Sequence, residues 1–257
     1  MSAPSRTSPP HWICKPTPEG LLQALREQIA RVETPRRPGA ETPVSSGCRP
    51  LDALLPQGGF PRGTLVEWLA AGAGSGAETL ALCSAREACR EGGALVVLDR
   101  AGEFYPPAAA RLGIELERTI VVHARTQADN LWALDQALRC AGVAVVLARP
   151  ERLDGKTFRR LQLAAEQEGV LGLLLRPESV RHEPSWADVR LLVEPVAQAS
   201  PAVAACADRR RLKVHVLRSR GSLQGRSVEV EIDHETHPLP VDSRPVGRAW
   251  PRRAAGA

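Results

Sequence analysis

From Gly47 onward, unbroken apolar runs alternate with segments whose apolar residues recur every three or four positions. The runs "GTLVEWL" (63–69), "ALVVLD" (94–99), "TIVVHA" (119–124), "VAVVLA" (143–148) and "VLGLLLR" (170–176) predict strands buried on both faces. Between them, "ETLALCSAREACRE", "PPAAARLG", "QADNLWALDQALRCA" and "GKTFRRLQLAAEQEG" predict helices. Strand and helix in alternation predict an α/β fold, a three-layer core with a mostly parallel central sheet. Farther along, "VRLLVE", "RRLKVHVLR" and "RSVEVEI" have no helices between them and are expected as antiparallel strands added at the C-terminal side of the sheet. Strict alternation in "RLKVHVLR" puts Leu212, Val214 and Val216 on one face and Lys213 and His215 on the other.

Before the core, "TPEGLLQALREQIARVE" predicts an amphipathic helix. Thr17 caps it, Pro18 fits its first turn, and Leu21, Leu25, Ile29 and Val32 share one face. Such a helix docks on a partner or neighbouring subunit, or folds back onto its own domain. The expected organisation is an N-terminal helix and disordered Pro/Gly/Ser-rich linker over 1–45, a core domain over 46–235 and a flexible tail over 236–257.

Composition narrows this picture. Apolar residues make up 43% of the 257 and aromatics only 4%, so the core must be aliphatic. The 34 basic and 29 acidic residues leave a net charge of +5, which permits nucleic-acid contact without requiring it. The six cysteines lack C-x-x-C spacing, so zinc sites and disulfide frameworks are not expected; most should be small buried hydrophobes in a reducing compartment. No apolar stretch reads as a signal peptide or a membrane span, and the expected location is the cytoplasm, with no membrane partner.

The candidate chemistry lies in "AAGAGSGAETL", between the first strand and its helix. A phosphate loop, G-x-x-x-x-G-K-[ST], needs glycines so that backbone N–H groups converge on phosphate, a lysine for the β/γ-phosphates and a hydroxyl for magnesium. Gly72, Gly74, Ser75 and Gly76 keep the first feature. Ala77 stands at the lysine position and Glu78 at the hydroxyl position, while Thr79 lies one place late. Glu78 would repel a polyphosphate at close range. The strand "VAVVLA" ends in Ala148 and Arg149 where a magnesium-binding carboxylate is expected. Asp99 is followed by Arg100 and Ala101, with Glu103 farther off, where a catalytic base is expected. These defects argue against ATP hydrolysis and predict no cofactor; ATP with magnesium is the alternative. Two readings of Gly72 to Gly76 remain, weak anion binding through backbone amides and, favoured over it, a tight turn that only joins strand to helix.

"SGCRPLDALLPQGGFPRGTLVEWLAAGAGSGAETLAL" resembles the opening of the RecA-type recombinase core. The resemblance continues through "ALVVLDRAGEFYPPAAARLGIELERTIVVHARTQADNLWALDQAL". More narrowly, "PRGTLVEWL" together with "RRLQLAAEQEGVLGLLLRPE" resembles the ImuA family of bacterial mutagenesis cassettes, sometimes labelled SulA-like. That resemblance implies a RecA-like core and a role in damage-induced (SOS) translesion synthesis, beside the inactive Y-family polymerase relative ImuB and an error-prone polymerase. It implies an adaptor whose nucleotide site is eroded: Gly72, Gly74, Ser75, Gly76 and Thr79 are the loop's remnant, Ala77 is the lysine position, and the catalytic glutamate falls near Ala101. RecA itself and single-stranded DNA are further candidate partners.

In RecA-like cores DNA runs along the loops after the fourth and fifth strands. Here those loops offer Arg149, Arg152, Lys156, Arg159, Arg160, Arg176 and Arg181, and the later strand adds Arg209, Arg210, Arg211 and Lys213. A salt-sensitive backbone-binding stripe is one reading. A solvated strand face protected by charge, offset by "VEVEIDHE", is the other. His123 and His215 are expected to serve packing or surface polarity, and Trp132 is expected in the core. Two alternatives to the adaptor remain: an ATP-dependent, DNA-binding recombinase relative and a SulA-like inhibitor of cell division.

Overall fold

The computed structural model describes residues 42–196, 209–219 and 225–233; the expected N-terminal helix and the tail lie outside them. The strands are β1 (Leu65–Ala70), β2 (Ala94–Leu98), β3 (Thr119–Val122), β4 (Val143–Ala148), β5 (Leu171–Pro177), β6 (Val189–Pro195), β7 (Arg209–Ser219) and β8 (Ser227–Asp233). They form one sheet in the order β3-β2-β4-β5-β1-β6-β7-β8. Besides a single α-helical turn at Arg49–Asp52, the helices are α1 (Ala77–Cys89), α2 (Pro106–Arg111), α3 (Gln127–Leu138) and α4 (Gly155–Glu168). Thr126 caps α3 through Asp129 N, and Asp154 caps α4 through Thr157 N.

β1 to β6 run parallel, and only β7 and β8 run antiparallel. This corrects the expectation for "VRLLVE": β6 pairs in parallel with β1, Val66 opposite Val189 and Ala70 opposite Val193. The segment after β5 holds a 3-10 turn at Glu178–His182 and returns the chain to the end of the sheet where β1 begins. A run of apolar residues records burial on both faces, and it reads the same in either direction.

Two apolar layers sandwich the sheet. On one face Leu80, Ala81, Ala85 and Ala88 of α1 pack with Val66, Trp68, Val97, Leu147 and Leu173. Phe60 meets Trp68 edge-on at 5.9 Å, and Val44 bridges to Phe60, so the folded core starts before the expected boundary at 46. On the other face Leu134, Leu138, Phe158 and Leu161 of α3 and α4 cover Val96, Val146 and Leu174. β7 and β8 feed the first face through Leu212, Val214, Val216, Val228, Val230 and Ile232, which matches the alternation in the sequence, while Leu217 packs with Leu69, Val180 and Leu192.

Cys48 and Cys83 are buried, and Cys89 and Cys140 are half-buried. Burial pushes the thiols of Cys48 and Cys83 up to about 11. No described helix is long and apolar enough to cross a membrane. The described residues hold no cluster of three or more His, Cys, Asp or Glu placed for a metal ion.

Candidate functional site at the phosphate loop

Residues 71–76 turn the chain from the end of β1 into α1. Gly76 caps the helix with φ +85°, a backbone that L side chains rarely adopt. A methyl group there would also run into Leu212 Cδ1 of β7. Ser75 is buried, and its Oγ accepts from Ala77 N at 3.4 Å, one of the amides a bound phosphate would need. Ser75 N donates to Gly72 O at 3.2 Å. Gly72 and Gly74 are exposed and Thr79 is half-buried. Arg210 reaches from β7 to donate to Gly74 O at 2.7 Å. The loop thus satisfies part of its own polarity, and β7 leans over it through Leu212 and Arg210.

Beside the loop, the carboxyl ends of β2 and β4 bring charges together. Arg149 follows the last residue of β4 and pairs with Glu78, the second residue of α1. Its Nε lies 3.6 Å from Glu103 and its Nη1 3.9 Å from Asp99. Asp99 is buried and accepts from Glu103 N and Phe104 N, each at 2.9 Å, which folds the segment after β2. His123 holds the Asp99 carbonyl at 2.7 Å, and Arg100 pairs with Glu151. Two guanidiniums, Arg149 and Arg100, therefore face four carboxylates, Glu78, Asp99, Glu103 and Glu151. The balance is acidic where a phosphate loop needs positive charge. Ala148 is buried and Ala101 exposed, and neither carries a group for metal or proton transfer.

The remaining basic candidates are mostly engaged. Arg160 lies 3.3 Å from Asp135, and Arg181 lies 3.8 Å from Glu178. Arg176 is buried against Glu67 at 2.9 Å. In the β7–β8 register Arg209 opposes Asp233, Arg211 opposes Glu231, and Lys213 lies between Glu229 and Glu194. His215 meets Glu194 at 2.9 Å. Arg209, Arg211 and Lys213 thus each have an acidic residue at the opposite register position, while Arg210 is registered with Ile232. Arg152 and Lys156 are exposed, Lys156 beside Asp154. Arg159 donates to Gln162 at 2.6 Å and sits 5.2 Å from the centroid of the Trp186 ring.

Trp132 does not enter the core as expected; it is 55% exposed. The buried positions of α3 are Asn130, Leu134, Asp135 and Leu138, and the stripe Asn130–Leu134–Leu138 puts residue 132 on the outer side. Sequence reading also missed a buried ionic network beneath the segment after β5. Glu67 of β1 meets Arg176 of β5 at 2.9 Å, Arg190 of β6 at 2.7 Å and Ser185 Oγ at 2.6 Å. Arg190 also donates to the carbonyls of Val180, Arg181 and Glu183. The signal was lone charges inside apolar strand runs, "VEWL", "LLLR" and "VRLL".

Residues 27–150 match the RecA N-terminal domain model. ImuA of Caulobacter vibrioides (strain NA1000 / CB15N) is 38% identical over 142 residues, covering 52% of this chain and 57% of that protein. The chain has a RecA-like fold and is similar to ImuA over about half its length. RecA of Clostridium botulinum (strain Eklund 17B / Type B) is 34% identical over 129 residues, half of this chain and 34% of that RecA. The matches span from about a third to somewhat over half the length of these curated relatives. The RadB recombinase crystal structure superposes with a TM-score of 0.60 at 17% identity, over 77% of this chain and all of that one. The fold described above, a mostly parallel sheet between helical layers, is therefore RecA-like.

Proposed function

We propose that this RecA-like protein is a non-hydrolysing adaptor of damage-induced mutagenesis. It supports translesion synthesis with a partner of the ImuB type and an error-prone polymerase. The similarity to ImuA supports the process. The observation that carries the non-catalytic part is the Arg149–Glu78 pair, which fills the corner between α1 and β4 with an internal ion pair. A nucleotide hydrolase keeps a lysine, a hydroxyl and a carboxylate there to hold phosphate and magnesium. Here Ala77, Glu78 and Ala148 stand in those positions. The fold is retained while the charges that would hold a triphosphate are replaced, so the work left to it is assembly.

Damage-induced mutation frequency in a strain deleted for its own copy tests this reading. Wild type and E78Q are both expected to restore mutagenesis, because Glu78 binds no nucleotide and Arg149 remains the counter-charge of Asp99 and Glu103. An E78Q protein that accumulates to normal levels yet leaves mutation frequency at the deletion baseline would contradict it.

A further inference from the structure

The segment between β5 and β6 is held with unusual strength for an exposed connection. Glu67, wholly buried in the central strand, fixes Ser185 Oγ at 2.6 Å and the two arginines at 2.9 and 2.7 Å. Arg176 continues to Glu183 at 3.0 Å, Arg190 ties three carbonyls of the segment, and Arg218 of β7 donates to Ser185 O. Burying such charges is costly and is a poor means of adding stability. Its effect here is to lock a loop in place. The next residue, Trp186, is 45% exposed, set beside Gly155 at the start of α4. An aromatic side chain held rigidly and left in water is the form of a binding anchor.

Its rim is basic. Arg159 stacks on the ring, Arg218 donates to Ser185 O of the preceding residue, and the exposed Lys156 and Arg152 come from α4 and the loop before it. On the same helical layer Leu163 of α4 and Trp132 of α3 are also exposed, 46% and 55%. Asp135–Arg160 and Arg139–Gln167 contacts join these two helices between them.

We propose that Trp186, with Lys156, Arg152 and the Leu163–Trp132 surface, is a docking site for an amphipathic acidic segment of a partner protein. The basic rim meets the carboxylates and the apolar row meets the buried face of the segment. Single-stranded nucleic acid fits less well. The Arg159 guanidinium already lies over the Trp186 ring, on a face where a base would have to stack. The proposal rests on the adaptor reading.

Fluorescence anisotropy on the full chain tests it. The probes are a labelled peptide of about 20 residues with Leu/Phe on one helical face and Asp/Glu on the other, the same peptide with Lys for its acids, and oligothymidine of about 20 nucleotides. The acidic peptide is expected to bind and the lysine peptide not to. W186A and K156E should each weaken the acidic peptide at least about tenfold, and W186F should retain most of the affinity. Thermal melting of W186A at the wild-type temperature excludes unfolding; if W186A melts early, K156E and W132A carry the test. Equal affinity of wild type and W186A overturns the proposal, as does acidic-peptide binding that none of the variants changes. Oligothymidine bound more tightly than the peptide and released by W186A also overturns it. ATP turnover by the same preparations reports separately on the adaptor reading.

Discussion

Arg149 reaches Glu78, Asp99 and Glu103, so removing its guanidinium leaves a cluster of carboxylates without a counter-charge. The site is partly open, so R149A should cost about 1–2 kcal/mol, below the range for a fully buried pair. A chemical denaturation midpoint lowered at unchanged slope would record it. Glu67 is wholly buried, and E67A strands two arginines in the sheet; the expected cost is about 3–5 kcal/mol. The thiols of Cys48 and Cys83 have folded-state values near 11, raised chiefly by burial from an ordinary 9.0. Between pH 9 and 11 the unfolded chain releases these protons and the folded chain keeps them, so stability is complete below pH 9 and falls as pH rises toward 11. Unfolding measured across that window should show the fall in wild type and a shallower one in C48A/C83A. The sequence made single defects visible at this scale, Ala77, Glu78 and Arg149 each read alone. That Glu78 and Arg149 satisfy each other was invisible, because α1 and β4 are brought together only by the sheet order.

At the scale of elements, the hairpin of β7 and β8 is coupled to the phosphate loop. G76A forces a φ of +85° on alanine and drives its methyl into Leu212, so it should destabilise by about 1–3 kcal/mol. In the double variant G76A/L212A the steric part should vanish, leaving a cost smaller than the sum of the two single changes, as a double-mutant cycle would measure. The elements themselves were largely legible, since buried parallel strands are continuous runs and amphipathic helices keep their period. "VAVVLA" forms a strand at the residues expected. The direction of β6 was not legible, because it depends on where the segment after β5 crosses the sheet. Trp132 was legible in principle: the Asn130–Leu134–Leu138 stripe places it outside, and reading it as bulk apolar rather than by phase gave the wrong side.

For the whole molecule, the RecA-like sheet survives while the chemistry at its carboxyl edge is rebuilt. Carboxylates outnumber arginines around the loop, β7 leans over it, and the apolar and basic surface lies on the α3–α4 face instead. The central claim is that this cradle does not hold a nucleotide. Isothermal titration of the full chain with ATP and magnesium tests it most directly. The account predicts no saturable heat up to about millimolar nucleotide, the region of −4 kcal/mol. Saturable binding in the micromolar range, abolished by G76A in a protein that remains folded, would contradict it.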